Sequence, residues 1–519
     1  MNLKRSDTYH RVNDIGGTMN LKRFDIYHRL RLGVVCTCLV LLISACSNSS
    51  GTSGTNSHTE TAVQKGTSLM QNSANDVAVF PHAYTANSSG KPGTPVPTAT
   101  PTGSTTYTNS NRGTPPGPVP SGTGSVPASL PHYFSFGVIN DPGTASFLDA
   151  QRSQNGTAYA FRYQYLTGGV NTGQGWEQWI KPGYLGEYAV SYMNESAAHG
   201  YIPAFAYYEL CLSNGPHPGS YCNSGSGFQQ VAANVNTPST MNAYFANWAL
   251  LMREIGSFGK PVLVIVESDT WGFLQNASRG TDNAATVPAS VSSSGYSDAA
   301  GFPNTVQGFA WALLHIRDKY AHNAILALHA STWAPGVDIA TDTGLSLDVG
   351  GPAQKLANFL NSAGLYGNPT GVSSWDLLSN DVTGNNWDRY NRTFPNFARY
   401  LTFMSDLSQN THRRIILWQT PTGNQYFDTM NNSPGHDQDN RAEYILGNIS
   451  SFAAAGIIGV LFGGGTSPID AMHDGVTNPA PISTYECNFC NNHKSIYPDD
   501  DGGYLRIFIG QYMRHPVPV

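Results

Sequence analysis

Val262-Leu263-Val264-Ile265-Val266-Glu267-Ser268-Asp269-Thr270-Trp271 decides how this chain is read. A short apolar run, mostly β-branched, stops at two carboxylates and an indole. Such a run is a strand signal. Glu267 and Asp269 share strand parity, so both are expected to point the same way at the strand's C-terminal end. With this stretch taken as 261–268, runs of the same texture stand on either side of it: 134–140, 159–166, 202–210, 325–330, 372–378, 414–419 and 457–462. Amphipathic stretches separate them at 144–152, 187–199, 240–256, 304–320, 353–365, 396–409 and 440–455, with a last one at 504–513. The spacing of Tyr244, Trp248, Leu251 and Ile255 (i, i+4, i+7, i+11) is helical. Strand followed by helix, eight times over, predicts an α/β fold: a (β/α)8 TIM-barrel-like domain over residues 131–519. An open doubly wound sheet is the alternative, weakened because no Gly-rich phosphate fingerprint follows the first run.

Composition narrows the function. Charged residues are 12% of the chain and aromatics 11%, with 54 Gly, 32 Pro and a formal charge of −6. A basic nucleic-acid binder, a coiled coil and an acidic disordered protein are excluded. A weakly charged, aromatic-rich surface suits contact with a neutral polymer.

The N-terminus reads as an address. Met1-Asn2-Leu3-Lys4-Arg5 recurs as Met19-Asn20-Leu21-Lys22-Arg23, a small duplication that makes Met19 an alternative start. Basic Arg29 and Arg31 precede an apolar run, Leu32 to Ile43, too short for the ~20 residues of a spanning helix. It ends Ile43-Ser44-Ala45-Cys46, which resembles a bacterial lipobox. Residues 1–45 are therefore expected to be a signal peptide and Cys46 a lipidated N-terminus. That puts the protein on the extracellular face of the cell membrane, lipid-anchored. The chain after residue 45 keeps 21 Lys+Arg and 31 Asp+Glu, a net −10 that argues against a nucleic-acid partner. Residues 46–130 are Ser/Thr/Gly/Pro-rich, with Glu60, Lys65, Asp76, Lys91 and Arg112 as their only charges. They cannot bury enough apolar area to offset their ordering entropy, and are expected to be a disordered tether.

Cys36 and Cys38 leave with the signal, so four cysteines remain beside Cys46. In an oxidising compartment two disulfides are expected, Cys211 with Cys222 and Cys487 with Cys490, each closing a short loop. A zinc site would need a second C-x-x-C, and the other pair is spaced by ten residues; His493 nearby keeps a metal as the weaker alternative. Asp499–Asp501 read as a solvated acidic turn, with calcium as the weaker alternative. No metal and no cofactor is expected, and a monomer is assumed.

In a barrel the chemistry lies at the C-terminal ends of the strands. There the sequence holds Tyr208 and Glu209 in the third unit and Glu267, Asp269 and Trp271 in the fourth. The fifth unit holds His329 and Trp333, the sixth Trp375, Asp376 and Asp381, and the seventh Trp418, Gln419 and Asn424. Any one carboxylate could as well cap a helix or pair with Arg162, Arg441 or Arg506. The whole set, in so weakly charged a chain, is better read as a site. Seven of the nine tryptophans (Trp176, Trp179, Trp271, Trp333, Trp375, Trp387 and Trp418) fall near these ends, where indoles can stack on sugar rings. Paired carboxylates with stacking aromatics suit glycosidic bond hydrolysis, in which one acid protonates the leaving oxygen and a second carboxylate activates water or attacks the anomeric carbon. Neither a G-x-S-x-G elbow nor a zinc-protease helix motif is present.

Val266-Glu267-Ser268-Asp269 resembles the Glu-Pro-Asp segment of the glycoside hydrolase family 6 cellulases. Leu328-His329-Ala330-Ser331-Thr332-Trp333 and Trp418-Gln419-Thr420-Pro421-Thr422-Gly423 are similar to two further segments of that family, in the same order. The resemblance covers about residues 200–430 and implies a cellulase-like barrel with Asp269 as general acid. The chain departs from the family at Ser268, and lacks the carboxylates after the third segment that include the family's proposed base.

The expectation is an extracellular glycoside hydrolase acting on a polysaccharide or oligosaccharide. Asp269 would be the acid, Glu267 would orient it or raise its proton affinity, and Asp381, before Asp376, would be the second carboxylate. Tyr208, Glu209, Trp271, His329, Trp333, Trp375, Trp418, Gln419 and Asn424 would shape the sugar subsites. A glycan-binding surface lipoprotein without catalysis is the alternative.

Overall fold

The structure, a computed structural model, describes residues 121–213, 227–339, 347–368, 371–381, 395–420, 441–463 and 504–519. Its strands are β1 Ser135–Ile139, β2 Phe161–Thr167, β3 Ile202–Tyr208, β4 Val262–Val266, β5 Ala324–His329, β6 Leu377–Asp381, β7 Ile415–Thr420 and β8 Ile457–Phe462. All pair in parallel in chain order, and β8 returns to β1, closing an eight-stranded barrel. The helices are α1 Ala145–Asn155, α2 Glu187–Ala198, α3 Gly227–Val235, α4 Pro238–Phe258, α5 Ser268–Ala277, α6 Val306–Tyr320, α7 Gly350–Ser362, α8 Pro395–Thr411, α9 Arg441–Gly447, α10 Ile449–Ala454 and α11 Tyr504–Tyr512. The (β/α)8 expectation holds.

Most strands read as largely apolar runs because both faces are covered, by the barrel interior on one side and the helices on the other. All five β4 residues are buried. Inside, β3 and β5 contribute small residues (Ala204, Ala206, Ala327), and the room they leave is filled by Tyr163 from β2 and Trp418 from β7. Alternating small and large side chains in this way packs the interior, so the barrel is a core and not a pore. Gly137 of β1 is part of that fit, since a Cβ there would lie 2.5 Å from Leu461 and 2.7 Å from Phe161.

Two elements differ from the sequence reading. The sixth strand lies further along the chain than 372–378, because Leu377-Leu378 carries the pairing and the polar Ser379-Asn380-Asp381 continue it to the mouth. Ser268–Ala277 is a helix, α5, and not the continuation of β4.

Residues 121–130, assigned above to the tether, are docked on the barrel. The Gly122 amide donates to the Ala454 carbonyl at 2.7 Å, Thr123 Oγ1 to the Ser408 carbonyl at 3.1 Å, and Arg414 Nε to the Gly124 carbonyl at 2.9 Å. Leu130 packs with the inward residues of the barrel's N-terminal end, Phe161, Leu263, Ile325 and Ile458 among them. Leu130→Ala is expected to cost about 2–4 kcal/mol in urea unfolding, as for a buried core leucine. A free tether residue at that position would give no change.

Candidate active site

The turn out of β4 sets the site. Glu267 follows the strand with φ +52°, a left-handed conformation that costs a non-glycine residue about 1–2 kcal/mol. It swings the Glu267 carboxylate away from strand parity and into a set of donors. Oε1 accepts the backbone N–H of Glu209 and of Leu210, both at 3.0 Å, and Oε2 accepts Thr270 Oγ1 at 2.9 Å. The Tyr244 hydroxyl of α4 is buried beside it. These bonds tie the loop after β3 to the start of α5 and offset the backbone strain. Glu267 is therefore a buried brace, and the expectation that it points into the mouth beside Asp269 is corrected by the strand ending one residue earlier. Burial still pushes its carboxyl up to about 7, against the lowering effect of those donors.

Glu209 lies beside it, fully buried, where it cannot meet a sugar in this conformation. The Gly169 backbone N–H lies on its side, but both carboxylate oxygens lack hydrogen-bond partners. Burial first, then the charges of Glu267 and Glu177, hold its carboxyl well above the usual range.

Asp269 stands in the first turn of α5, at the helix end that favours a negative charge. It is 7% exposed, and the Tyr208 hydroxyl at the end of β3 lies 3.4 Å from its Oδ2. Trp271, two residues on, faces the protein: it stacks on Phe309 of α6 at 5.5 Å and its indole N–H donates to the Val266 carbonyl at 2.9 Å. Trp333 retains 9% exposure and lies against α5 at Gly272, where a Cβ would come within 2.6 Å of the ring.

Across β5 and β6 stands a second group. His329 closes β5 with its imidazole fully buried. Its Nδ1 is 3.2 Å from Ser379 Oγ of β6 and 3.3 Å from Trp418 Nε1 of β7. Its Nε2 is 3.7 Å from Asp381 Oδ1, at the end of β6. Burial, opposed by the Asp381 charge, pushes the imidazole down to about 4. Trp418 also lies 5.8 Å from the ring of Tyr165 of β2, so aromatic rings from β2 and β7 floor the mouth. Next to Trp418, Gln419 has φ +51°. Among the described residues, Glu267 and Gln419 are the non-glycine left-handed residues at strand C-terminal ends, and strain of this kind gathers at functional sites.

Other expected site residues fall elsewhere. Asp376 precedes β6, at the opposite end of the barrel from the mouth. Its Oδ2 pairs with Arg317 Nη1 at 2.9 Å and accepts the Leu326 amide at 2.8 Å. With β6 beginning at Leu377, Asp376 is a structural ion-pair partner and not the second carboxylate. Trp375 is buried against Trp271, so it is no sugar platform. Trp176 is buried with its indole N–H on Asn247 at 2.8 Å, and Trp179 packs edge-on to Tyr188. Cys211 is buried and disulfide-bonded. Cys46, Cys222, Cys487, Cys490, Asn424, Trp387, His493 and Asp499–Asp501 lie outside the described residues. Among the described residues no group of three or more His, Cys, Asp or Glu is arranged to hold a metal.

Sequence reading missed Ser379 and Tyr165. Parity would have found Ser379 once β6 was placed at 377–381, because residues 377, 379 and 381 share a face. Tyr165 is the inward residue two after Tyr163.

No family model matches this chain, and no curated protein does either. Among solved structures it is similar to a beta-mannanase from a symbiotic protist of the termite Reticulitermes speratus, complexed with gluco-manno-oligosaccharide, at 11% identity. That match covers 76% of this chain and 93% of the other, with a TM-score of 0.36. A modular endo-beta-1,4-mannanase from Cellulomonas fimi, described with the glycoside hydrolase family 26 mannanases, is 12% identical over 64% of this chain and 65% of its own, with a TM-score of 0.38. An intracellular xylanase from Thermoanaerobacterium saccharolyticum is 12% identical over 66% and 90%, with a TM-score of 0.32. Likeness at this level is to the barrel already described and extends no further.

Proposed function

We propose that the protein is a glycoside hydrolase of an extracellular polysaccharide, with Asp269 as general acid and Asp381 as the second carboxylate. One observation carries the reading. Asp269 and Asp381 are acidic side chains at the C-terminal ends of the barrel wall, flanking His329 in strand order and bordering an aromatic floor. Glu209, Glu267 and Asp376 have other bonding or other places. In the reaction Asp269 gives its proton to the glycosidic oxygen as that oxygen leaves the anomeric carbon. Asp381 either takes a proton from the attacking water or bonds to the anomeric carbon, and is then displaced by water. Tyr208 orients the acid, while Trp333 and Gln419 border the sugar. The lipobox-like segment supports a lipid anchor at Cys46 on the outer membrane face, with the intervening chain as tether. The likeness to the family 6 cellulases rests on three short segments and supports no particular sugar.

The test is release of new reducing ends by the full chain from β-glucans, xylan, mannan, arabinan, chitin and α-glucans. Hydrolysis of at least one polymer is the expected result. Binding of a polymer in affinity gels with no release from any of them would replace this reading with that of a glycan-binding surface protein.

A further inference from the structure

We propose that His329 is a positioning residue locked in the Nε2–H tautomer, which offers a permanent N–H to Asp381 and so marks Asp381 as the base or nucleophile of the carboxylate pair. This rests on the assignment of Asp381 above.

The tautomer follows from the partners of the ring. An indole N–H donates and has no lone pair to accept with. Trp418 Nε1, 3.3 Å from His329 Nδ1, therefore requires a lone pair there. Ser379 Oγ, 3.2 Å from the same atom, can donate to it too. A neutral imidazole with its lone pair on Nδ1 carries its hydrogen on Nε2. That nitrogen is buried and has no hydrogen bond; the acidic oxygen facing it is Asp381 Oδ1, at 3.7 Å. The gap is a few tenths of an ångström beyond a hydrogen bond, and contacts of this kind tighten when substrate closes a site.

The ring stays neutral because it is sealed from water, the Asp381 charge notwithstanding. Tyr400 of α8 also feels that charge, which adds to burial in keeping its phenol protonated, and its hydroxyl donates to Asn380 Oδ1 at 2.5 Å. The N–H of a ring that stays neutral above about pH 4 stabilises a carboxylate without competing for its proton. An N–H donor aimed at one carboxylate of a pair separates the two roles. That leaves Asp381 to act as base or nucleophile and Asp269 as the acid.

The first arm of the test uses no activity. In the full chain labelled with ¹⁵N-histidine, His329 is assigned by its loss in His329→Gln and followed by long-range ¹H–¹⁵N correlation. The expected pattern is Nε2 protonated and Nδ1 not, unchanged from pH 5 to 8. A protonated Nδ1, or a titration midpoint near 6.5, would overturn the proposal. The second arm is the pH profile of kcat/KM on a hydrolysed glycan. His329→Leu should move the acidic limb upward and lower kcat/KM by about 10- to 100-fold, the worth of a hydrogen bond to a charged group. His329→Gln, whose amide N–H falls near Nε2, should restore most of both. An unmoved limb in the Leu variant, or equal losses in the two, would reduce His329 to packing and overturn the proposal. Absence of any hydrolysis by wild type would defeat the glycosidase reading and leave the tautomer result standing.

Discussion

Asp269→Asn is expected to lower kcat/KM on a natural glycan by about 10²- to 10⁴-fold, the usual worth of a positioned general acid. The asparagine keeps the volume and can still accept from the Tyr208 hydroxyl, but has no proton to give. The loss should therefore depend on the leaving group. An aryl glycoside whose phenolate departs unaided should be cleaved nearly as well by the variant as by wild type. A second carboxylate acts at the anomeric carbon and not at the leaving oxygen, so Asp381→Asn should slow both substrates alike. Equal losses for both substrates with Asp269→Asn would mean that Asp269 is not the acid.

The second large effect lies behind the mouth, in the Glu209–Glu267 pair. Both carboxyls are raised above their unfolded values, so the folded chain binds protons more tightly than the unfolded one. Their stabilisation is complete below the unfolded value near 4.5. It is lost as pH rises through about 7 for Glu267, and Glu209, also raised, acts in the same direction. Unfolding free energy is expected to fall by on the order of 3 kcal/mol from Glu267 alone between pH 5 and 8, with Glu209 adding to the fall. Opposite substitutions separate the pair. Glu209→Gln removes the charge that has the fewest donors, and should stabilise by about 2 kcal/mol at pH 8 while flattening the slope. Glu267→Ala leaves the Glu209 and Leu210 amides and the Thr270 hydroxyl without their acceptor, and should destabilise by about 3–5 kcal/mol at any pH in that range. Denaturant midpoints at pH 5 and 8 decide this; a Glu209→Gln that is destabilising at pH 8 would contradict it.

Much of the fold could be read from the chain, because most strands are buried on both faces and largely apolar. β6 was misplaced. Its outer half, Ser379-Asn380-Asp381, is polar because it faces the mouth and bonds to His329, Ala330 and Tyr400, so the apolar signal ran out where the function began. That shift moved Asp376 to the wrong end of the barrel. Similarly, Glu267-Ser268-Asp269 reads as strand by parity, and only the left-handed turn at Glu267 reveals that α5 starts there. The tryptophans show a different limit. Position near a strand end tells how high a ring sits but not which face it takes, so Trp271 and Trp375 are sealed in packing and Trp418 lies beneath the mouth with 1% exposure. Leu130 was hidden for the opposite reason: it is one apolar residue in a polar, Pro-rich stretch, and only the closed barrel floor explains its place.

The pairing of Asp269 with Asp381 is the central claim, and the most direct measurement is kcat/KM for Asp269→Asn, Asp381→Asn and Asp376→Asn on one hydrolysed glycan, corrected for folded fraction. Both mouth variants should lose at least about 10²-fold. Asp376→Asn should be less stable through its lost Arg317 bridge yet turn over normally per folded molecule. A folded Asp376→Asn without activity, or either mouth variant at wild-type rate, would contradict the account.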